Sequence, residues 1–198
     1  MDQILIGTSN KGKIIEIKEA LDSLPIEILS PDQWNIFESP PEHGDTFEAN
    51  ALEKARFYFE KTKIPTLADD SGIIVEALNE ELGIHTRRWG AGPTASDEEW
   101  ITFFLDRMKK EKNKNAHFVC VLAYIDSNGT EHLFEGRCDG DITETLEADY
   151  LPGLPISACF KPTGQGVVFS ALSFEQKNST SHRGRAISLF KEYLRQAA

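Results

Sequence analysis

The sequence is short of positive charge: 21 Lys and Arg stand against 32 Asp and Glu, a formal net charge of −11 over 198 residues. That balance argues against coating DNA, RNA or an anionic membrane, because those surfaces reward a basic face. An anionic ligand must instead meet a local basic cluster. Cysteine is scarce as well. Cys120, Cys138 and Cys159 are widely spaced without a CxxC pair, and no apolar signal-like segment opens the chain, so we expect reduced thiols in the cytoplasm rather than a disulfide framework. No run approaches the roughly 18 apolar residues that span a bilayer. The GxxxxGK[ST] spacing of a P-loop is missing too, and we find neither an internal repeat nor a low-complexity linker.

What is present suits a folded chain. With 40% hydrophobic and 27% charged residues, the sequence can bury a sizeable core, and we expect a single domain over residues 1–198, with two lobes at most. Gln3-Ile4-Leu5-Ile6-Gly7 reads as a short strand that stops at Thr8-Ser9-Asn10, three residues that favour helix N-caps. Ile14, Ile17, Leu21 and Leu24 then follow the helical period until Pro25. Strand, polar turn and helix make an α/β opening.

Thr46 can cap a second helix, to about Lys63, with Phe47, Ala51, Ala55 and Phe59 inward. Pro65 to Ala68 reads as a strand running into Asp69-Asp70-Ser71-Gly72, and Ile73-Ile74-Val75 continues extended. A third helix is expected from Ser96 to about Lys112, with Asp97, Glu98 and Glu99 at its positive end, and a solvated charged loop over Lys109 to Lys114. His117 to Ile125 and His132 to Cys138 flank Asp126-Ser127-Asn128-Gly129, a hairpin signal in which Asn-Gly suits a primed turn. A last helix, roughly Arg183 to Gln196, turns Ile187, Phe190 and Leu194 inward.

Several segments carry chemistry. Thr8-Ser9-Asn10-Lys11-Gly12-Lys13 offers amides, small polar side chains and two lysines at a helix start, a place that can bind phosphate. An ordinary capped helix with surface lysines explains the same residues. Asp69-Asp70-Ser71-Gly72 places two carboxylates at an expected strand end, where α/β folds commonly build sites and where a hard divalent cation would find oxygen ligands; a turn with solvated acids is the other reading. Glu42 lies just before the second helix and can add a carboxylate. Lys177, His182 and Arg183 gather at the start of the last helix, where an anion would be favoured, although a capped helix with exposed basic groups would look alike.

In this order the segments resemble the Ham1 family of inosine triphosphate pyrophosphatases, over essentially the whole chain. The T-x-N-x-x-K pattern falls on Thr8, Asn10 and Lys13, and E-x-G-x-T-F-x-x-N-A on Glu42 to Ala51. A-D-D-S-G falls on Ala68 to Gly72, and K-x-x-x-S-H-R-G on Lys177 to Gly184. The resemblance implies an elongated mixed β-sheet flanked by helices, two lobes with the nucleotide in the cleft between them, and a homodimer. It implies attack of water on the α-phosphorus of a nucleoside triphosphate, with Mg²⁺ offsetting the substrate's charge. By position, Glu42 and Asp70 would hold Mg²⁺, and Asp70 would also orient or deprotonate the water, with Asp69 assisting. Lys13 and the amides of Thr8, Ser9, Asn10, Lys11, Gly12 and Lys13 would hold phosphate oxygens, and Ser71, Lys177, His182 and Arg183 would complete the substrate site. Arg88 falls near the base.

One stretch departs from the family pattern. Where G-F-G-Y-D-P-I-F is usual, with an aromatic that stacks on the purine and an acid that reads its edge, this chain has Gly153-Leu154-Pro155-Ile156-Ser157-Ala158-Cys159-Phe160. Leu154 lacks a stacking face, a loss worth about 1–3 kcal/mol per base where bases stack on aromatics. Ser157 replaces a charged acceptor by a neutral group that donates or accepts. The expected substrates are therefore ITP, dITP and XTP, with a shifted base preference, or nucleotide binding without turnover, as the alternatives.

Overall fold

The computed structural model describes residues 3–38, 40, 42–78, 81–86, 89–92 and 94–197. Among these residues six strands form one mixed sheet in the order β2-β1-β3-β4-β5-β6: β1 Gln3–Ile6, β2 Glu27–Leu29, β3 Thr66–Val75, β4 Asn115–Ile125, β5 Glu131–Ile142 and β6 Phe160–Pro162. β1 is parallel to β2 and β3, whereas β3 to β6 pair antiparallel. Among the described residues five α-helices accompany them: α1 Lys11–Leu21, α2 Phe47–Thr62, α3 Asp97–Met108, α4 Phe174–Thr180 and α5 His182–Ala197. Among the described residues no helix is long and apolar enough to cross a membrane.

Local chemistry accounts for the helix starts. Asn10, Thr46, Ser96 and Ser173 each accept an amide hydrogen bond from three residues on, and Ser96 and Ser173 form full capping boxes with Glu99 and Gln176. α1 stops at Leu21, short of Leu24, and α3 stops at Met108, before the lysine-rich loop.

The largest cores lie at opposite ends of the long strands. Ile4, Ile6, Leu67, Leu122 and Tyr124 pack with α1 and α5 residues such as Ile17 and Phe190. Ile73, Val75, Ala116 and Ile142 pack with Trp100, Phe104 and Met108 of α3. A smaller cluster seats Ala51 and Ala55 of α2 on Ala68, Val121 and Ala123. Asp69 to Gly72 thus fall on β3 where one core ends and the other begins.

Two expectations are corrected. The acids are not at a strand end: β3 runs unbroken through them, paired residue for residue with β4 from Thr66↔Ile125 to Val75↔Ala116. Their burial among distant cations, described below, lets a strand carry them. The hairpin turn is not primed, because Gly129 (φ +80°) is left-handed while Asn128 is not. Asp126 organises the turn instead, its carbonyl accepting from Gly129 N (3.0 Å) and its Oδ1 from the amides of Asn128 (2.8 Å) and Thr130 (2.9 Å). Lys177, expected near the start of the last helix, lies within α4, a seven-residue helix that ends one residue before Ser181.

Candidate active site

A cleft of ≈ 330 Å³ opens along the middle of β3, between the turn before α1, the inner face of α2 and the loop of residues 153–157. Strand pleating decides what faces it. Alternate side chains leave opposite faces of a strand, so Asp69 and Ser71 turn towards α1 and α5 while Asp70 turns towards α2.

On the first face, Asp69 is fully buried and meets Lys13 Nζ at 3.0 Å and Arg183 Nη2 at 3.1 Å. Arg183 also donates to Ser71 Oγ (3.0 Å) and pairs with Glu16, which in turn pairs with Lys177. Burial pushes Asp69 and Glu16 up, but their cations outweigh it and hold both carboxyls below the usual range. Three cations to two carboxylates leave this wall net positive, which suits a polyphosphate.

On the second face, Lys54 Nζ lies between Asp70 Oδ1 (2.7 Å) and Glu42 Oε1 (2.8 Å), and Asn50 Nδ2 reaches Asp70 Oδ2 at 3.4 Å. Burial raises Asp70 above its usual range against the pull of Lys54 and Lys13. Lys54 is raised above the ammonium range because Asp70, Asp69 and Glu42 together overcome its desolvation. An ammonium between two carboxylates keeps the group ionised at neutral pH. Asn50 also fixes the approach to α2, its Oδ1 accepting from Gly44 N at 2.8 Å.

The donor chemistry at this point fits Mg²⁺. Two hard carboxylate oxygens from separate elements already converge on one cationic centre, and Mg²⁺ is commonly held by one or two carboxylates with water and substrate phosphates completing its shell. Among the described residues no cluster of three or more His, Cys, Asp or Glu is arranged as a metal cage, so Glu42 and Asp70 are the side chains to consider.

The turn before α1 differs from its expected use. The amides of Thr8, Asn10, Gly12 and Lys13 donate to Ile6 O, Thr8 Oγ1, Pro152 O and Asn10 Oδ1 respectively. At those positions the backbone is committed to the protein, so the cation the turn brings to the cleft is the Lys13 ammonium. Gly12 lets the 152–154 loop come close: a Cβ there would stand 2.7 Å from Pro152 O and 2.8 Å from Leu154 Cδ1. Asn10 Nδ2 adds a bond to Gly153 O at 3.2 Å. Thr8, Ser9, Asn10 and Lys13 line the cleft, whereas Lys11 is exposed and outside it.

Of the remaining expected residues, Ser71, His182, Arg183, Leu154 and Ser157 line the cleft, whereas Lys177 lies outside the lining and pairs with Glu16. His182 is buried and stacked on Phe118 (centroids 4.6 Å apart, 14° between planes). Burial, reinforced by Arg183, holds its pKa well below the usual imidazole value, so it is neutral. Ser157 Oγ donates to Leu154 O at 2.6 Å. Cys159 is fully buried and its thiol is pushed up to about 12 by burial, an inert packing residue. Arg88 lies outside the described residues.

Reading from sequence missed Lys54, Asn50 and Glu16. The signal for the first two was there: Asn50 and Lys54 are four apart on α2, each beside an alanine of the buried stripe. Glu16 likewise sits next to Ile17 on the inner side of α1.

The same arrangement of elements occurs in solved structures. The Ham1 protein of Staphylococcus aureus superposes with a TM-score of 0.82 at 29% identity, covering all of both chains. The HAM1 protein of Coxiella burnetii does so with a TM-score of 0.83 at 29% identity, over 99% of this chain and 100% of that one. In sequence, the dITP/XTP pyrophosphatase of Leptospira interrogans is 39% identical over 193 residues, 98% of this chain and 97% of its own length. The Ham1 family model matches residues 4–193, which include both faces of β3, the cap of α1 and the start of α5. With nearly its whole length matched in sequence and in fold, this chain belongs to the Ham1 family.

Proposed function

We propose that the protein hydrolyses non-canonical purine nucleoside triphosphates, ITP, dITP and XTP, to the monophosphate and pyrophosphate with Mg²⁺, and so clears them from the nucleotide pool. The observation that carries this reading is the division of the cleft: Lys13 and Arg183, with Lys177 paired to Glu16 in the same net-positive cluster, lie across from a point where Glu42 and Asp70 converge on a single cation. A triphosphate needs both. The names of the sequence relatives support the substrate class.

Glu42 and Asp70 would hold the magnesium, which when bound offsets the triphosphate's charge and polarises the phosphoryl group. Lys13 holds phosphate oxygens on the opposite wall, and Arg183, fixed by Asp69 and Glu16, keeps that wall rigid and Ser71 oriented. Asp70 accepts the hydrogen bond of the attacking water and takes its proton, while Lys54, which donates to its Oδ1, holds the carboxylate in place. Leu154 and Ser157 border the base. The family resemblance also supports a homodimer, and three unpaired, buried cysteines suit a cytoplasmic setting.

Pyrophosphate release from ITP, XTP, dITP, dUTP, ATP and GTP, with and without Mg²⁺, tests this reading. Strong Mg²⁺-dependent release from ITP and XTP is expected. Preference for another base would shift the specificity, and no release from any nucleotide would replace the enzyme by a nucleotide-binding protein.

A further inference from the structure

We propose that Asp97 is a positioning residue for the nucleotide: its carboxylate locks the turn from which the 153–157 wall of the cleft starts, so that the wall is already in place when substrate binds. This rests on the pyrophosphatase reading above. The lining of the cleft is of two kinds. Lys13 and Arg183 suit phosphates, whereas Leu154, Ile156, Phe118 and Phe169 offer apolar surface to a nucleoside. Two of those apolar side chains, Leu154 and Ile156, belong to the wall that the turn starts.

Leu154 N donates to Leu151 O at 2.9 Å, and Gly153 has φ +80°. With Pro152 before the glycine, these are the marks of a type II turn over residues 151–154. Its central peptide, Pro152 C=O with Gly153 N–H, is held at both ends. Pro152 O accepts from Gly12 N at 3.2 Å, and Gly153 N donates to Asp97 Oδ2 at 2.6 Å. Gly12 belongs to α1, which packs in the core at one end of the long strands, and Asp97 opens α3, which packs in the core at the other. The turn is therefore pinned from both cores, on either side of the cleft. A type I turn over the same residues would rotate the central peptide by about half a turn, and a Pro-Gly pair is compatible with both types. The bond to Asp97 is charge-assisted and the shorter of the two, so it is the one that selects the observed type. Without it the turn can exchange between the two types, and the wall that leaves it at Leu154 loses its fixed start. A nucleotide would then have to order that wall as it binds, a cost that weakens affinity.

The test measures KM and kcat for ITP, and Ki for pyrophosphate as a product inhibitor, in the unaltered protein, Asp97→Ala and Asp97→Asn. Pyrophosphate has no nucleoside, so its binding does not depend on the wall. Asp97→Ala should raise KM for ITP by about tenfold, the scale of one hydrogen bond to a charged group, with kcat and the Ki of pyrophosphate little changed. Asp97→Asn keeps an acceptor oxygen and should recover most of the lost affinity. Hydrogen exchange at the Gly153 amide reads the bond directly and should be slow in the unaltered protein and faster in Asp97→Ala. An unchanged KM in Asp97→Ala would overturn the proposal. So would a joint rise of KM and Ki, which marks a general loosening of the cleft, or an Asn variant no better than the Ala one, which makes charge rather than the hydrogen bond the cause. An unprotected Gly153 amide in the unaltered protein would overturn it without any variant. Failure of the unaltered protein to hydrolyse any nucleotide would instead overturn the underlying pyrophosphatase reading, and the proposal with it.

Discussion

Asp69 and Asp70 are neighbours in sequence with the same side chain, yet the pleat of β3 sends them to different surroundings. Asp69 is sealed between Lys13 and Arg183, and its carboxyl is held below the usual range. Asp70 faces the cleft with Lys54, Asn50 and Glu42, and burial holds it above that range. Two carboxyls pushed apart by their environments generally have different tasks. Here one fixes the cationic wall and the other is left for chemistry.

The sharpest way to break this contrast is to neutralise each acid separately. Asp70→Asn should lower kcat by about 10²–10⁴-fold, the usual contribution of a positioned general base, with a melting temperature close to that of the unaltered protein. Asp69→Asn should do the reverse first, because it removes the buried charge that Lys13 and one arm of Arg183 are paired with: a loss of about 3–5 kcal/mol of stability is expected by denaturant titration. If Asp69→Asn proves stable and inactive while Asp70→Asn stays active, the roles are exchanged.

Acid titration sharpens the comparison further, since the two aspartates enter with opposite sign. A lowered folded pKa, as for Asp69 and Glu16, gives stability that is present above the unfolded carboxyl range near 4 and is lost as pH falls through the folded value. His182, held neutral, adds a loss that begins near pH 6.5, where the unfolded imidazole takes a proton that the folded one refuses. Asp70, with a raised pKa, takes up its proton earlier when folded and offsets part of the acid loss. Melting temperatures between pH 5 and 3 should therefore fall less steeply in Asp69→Asn and more steeply in Asp70→Asn than in the unaltered protein.

The smallest effect concerns the metal. Mg²⁺ at about ten times its dissociation constant should add about 1.4 kcal/mol, a rise in melting temperature of about 3–6 °C for a chain of this size. Glu42→Gln should remove most of that rise; a full rise in this variant would separate the metal from the Glu42–Asp70 pair.

Much of the framework was legible because its cues are local. Asn10, Thr46 and Ser96 cap the helices expected of them, and the apolar spacing of Ile187, Phe190 and Leu194 places the inner face of α5. β2 and β6, three residues each, are too short to show a period, and α4 is little longer. The mid-strand position of Asp69 and Asp70 was hidden for a stronger reason. Nothing adjacent in sequence warrants burying two acids in a strand; Lys13, Lys54 and Arg183 do, and they lie between 16 and 114 residues from the acid they pair with. Lys54 and Glu16 escaped notice because a single charged residue beside an apolar stripe looks like surface until its partner is known.

The tie between Asn10, Gly12 and the 152–154 loop has a mechanical consequence. Asn10 holds the amide of Lys13 with one end of its side chain and the carbonyl of Gly153 with the other, while Gly12 N is bonded to Pro152 O. On the proposed reading, the part that would grip phosphate and the part that would border the base are thus tied to each other. On that reading, a base that props the loop open by a fraction of an ångström would drag Lys13 with it, so an ill-fitting nucleotide would be penalised at the bond to be broken, in the speed of cleavage as well as in the strength of binding.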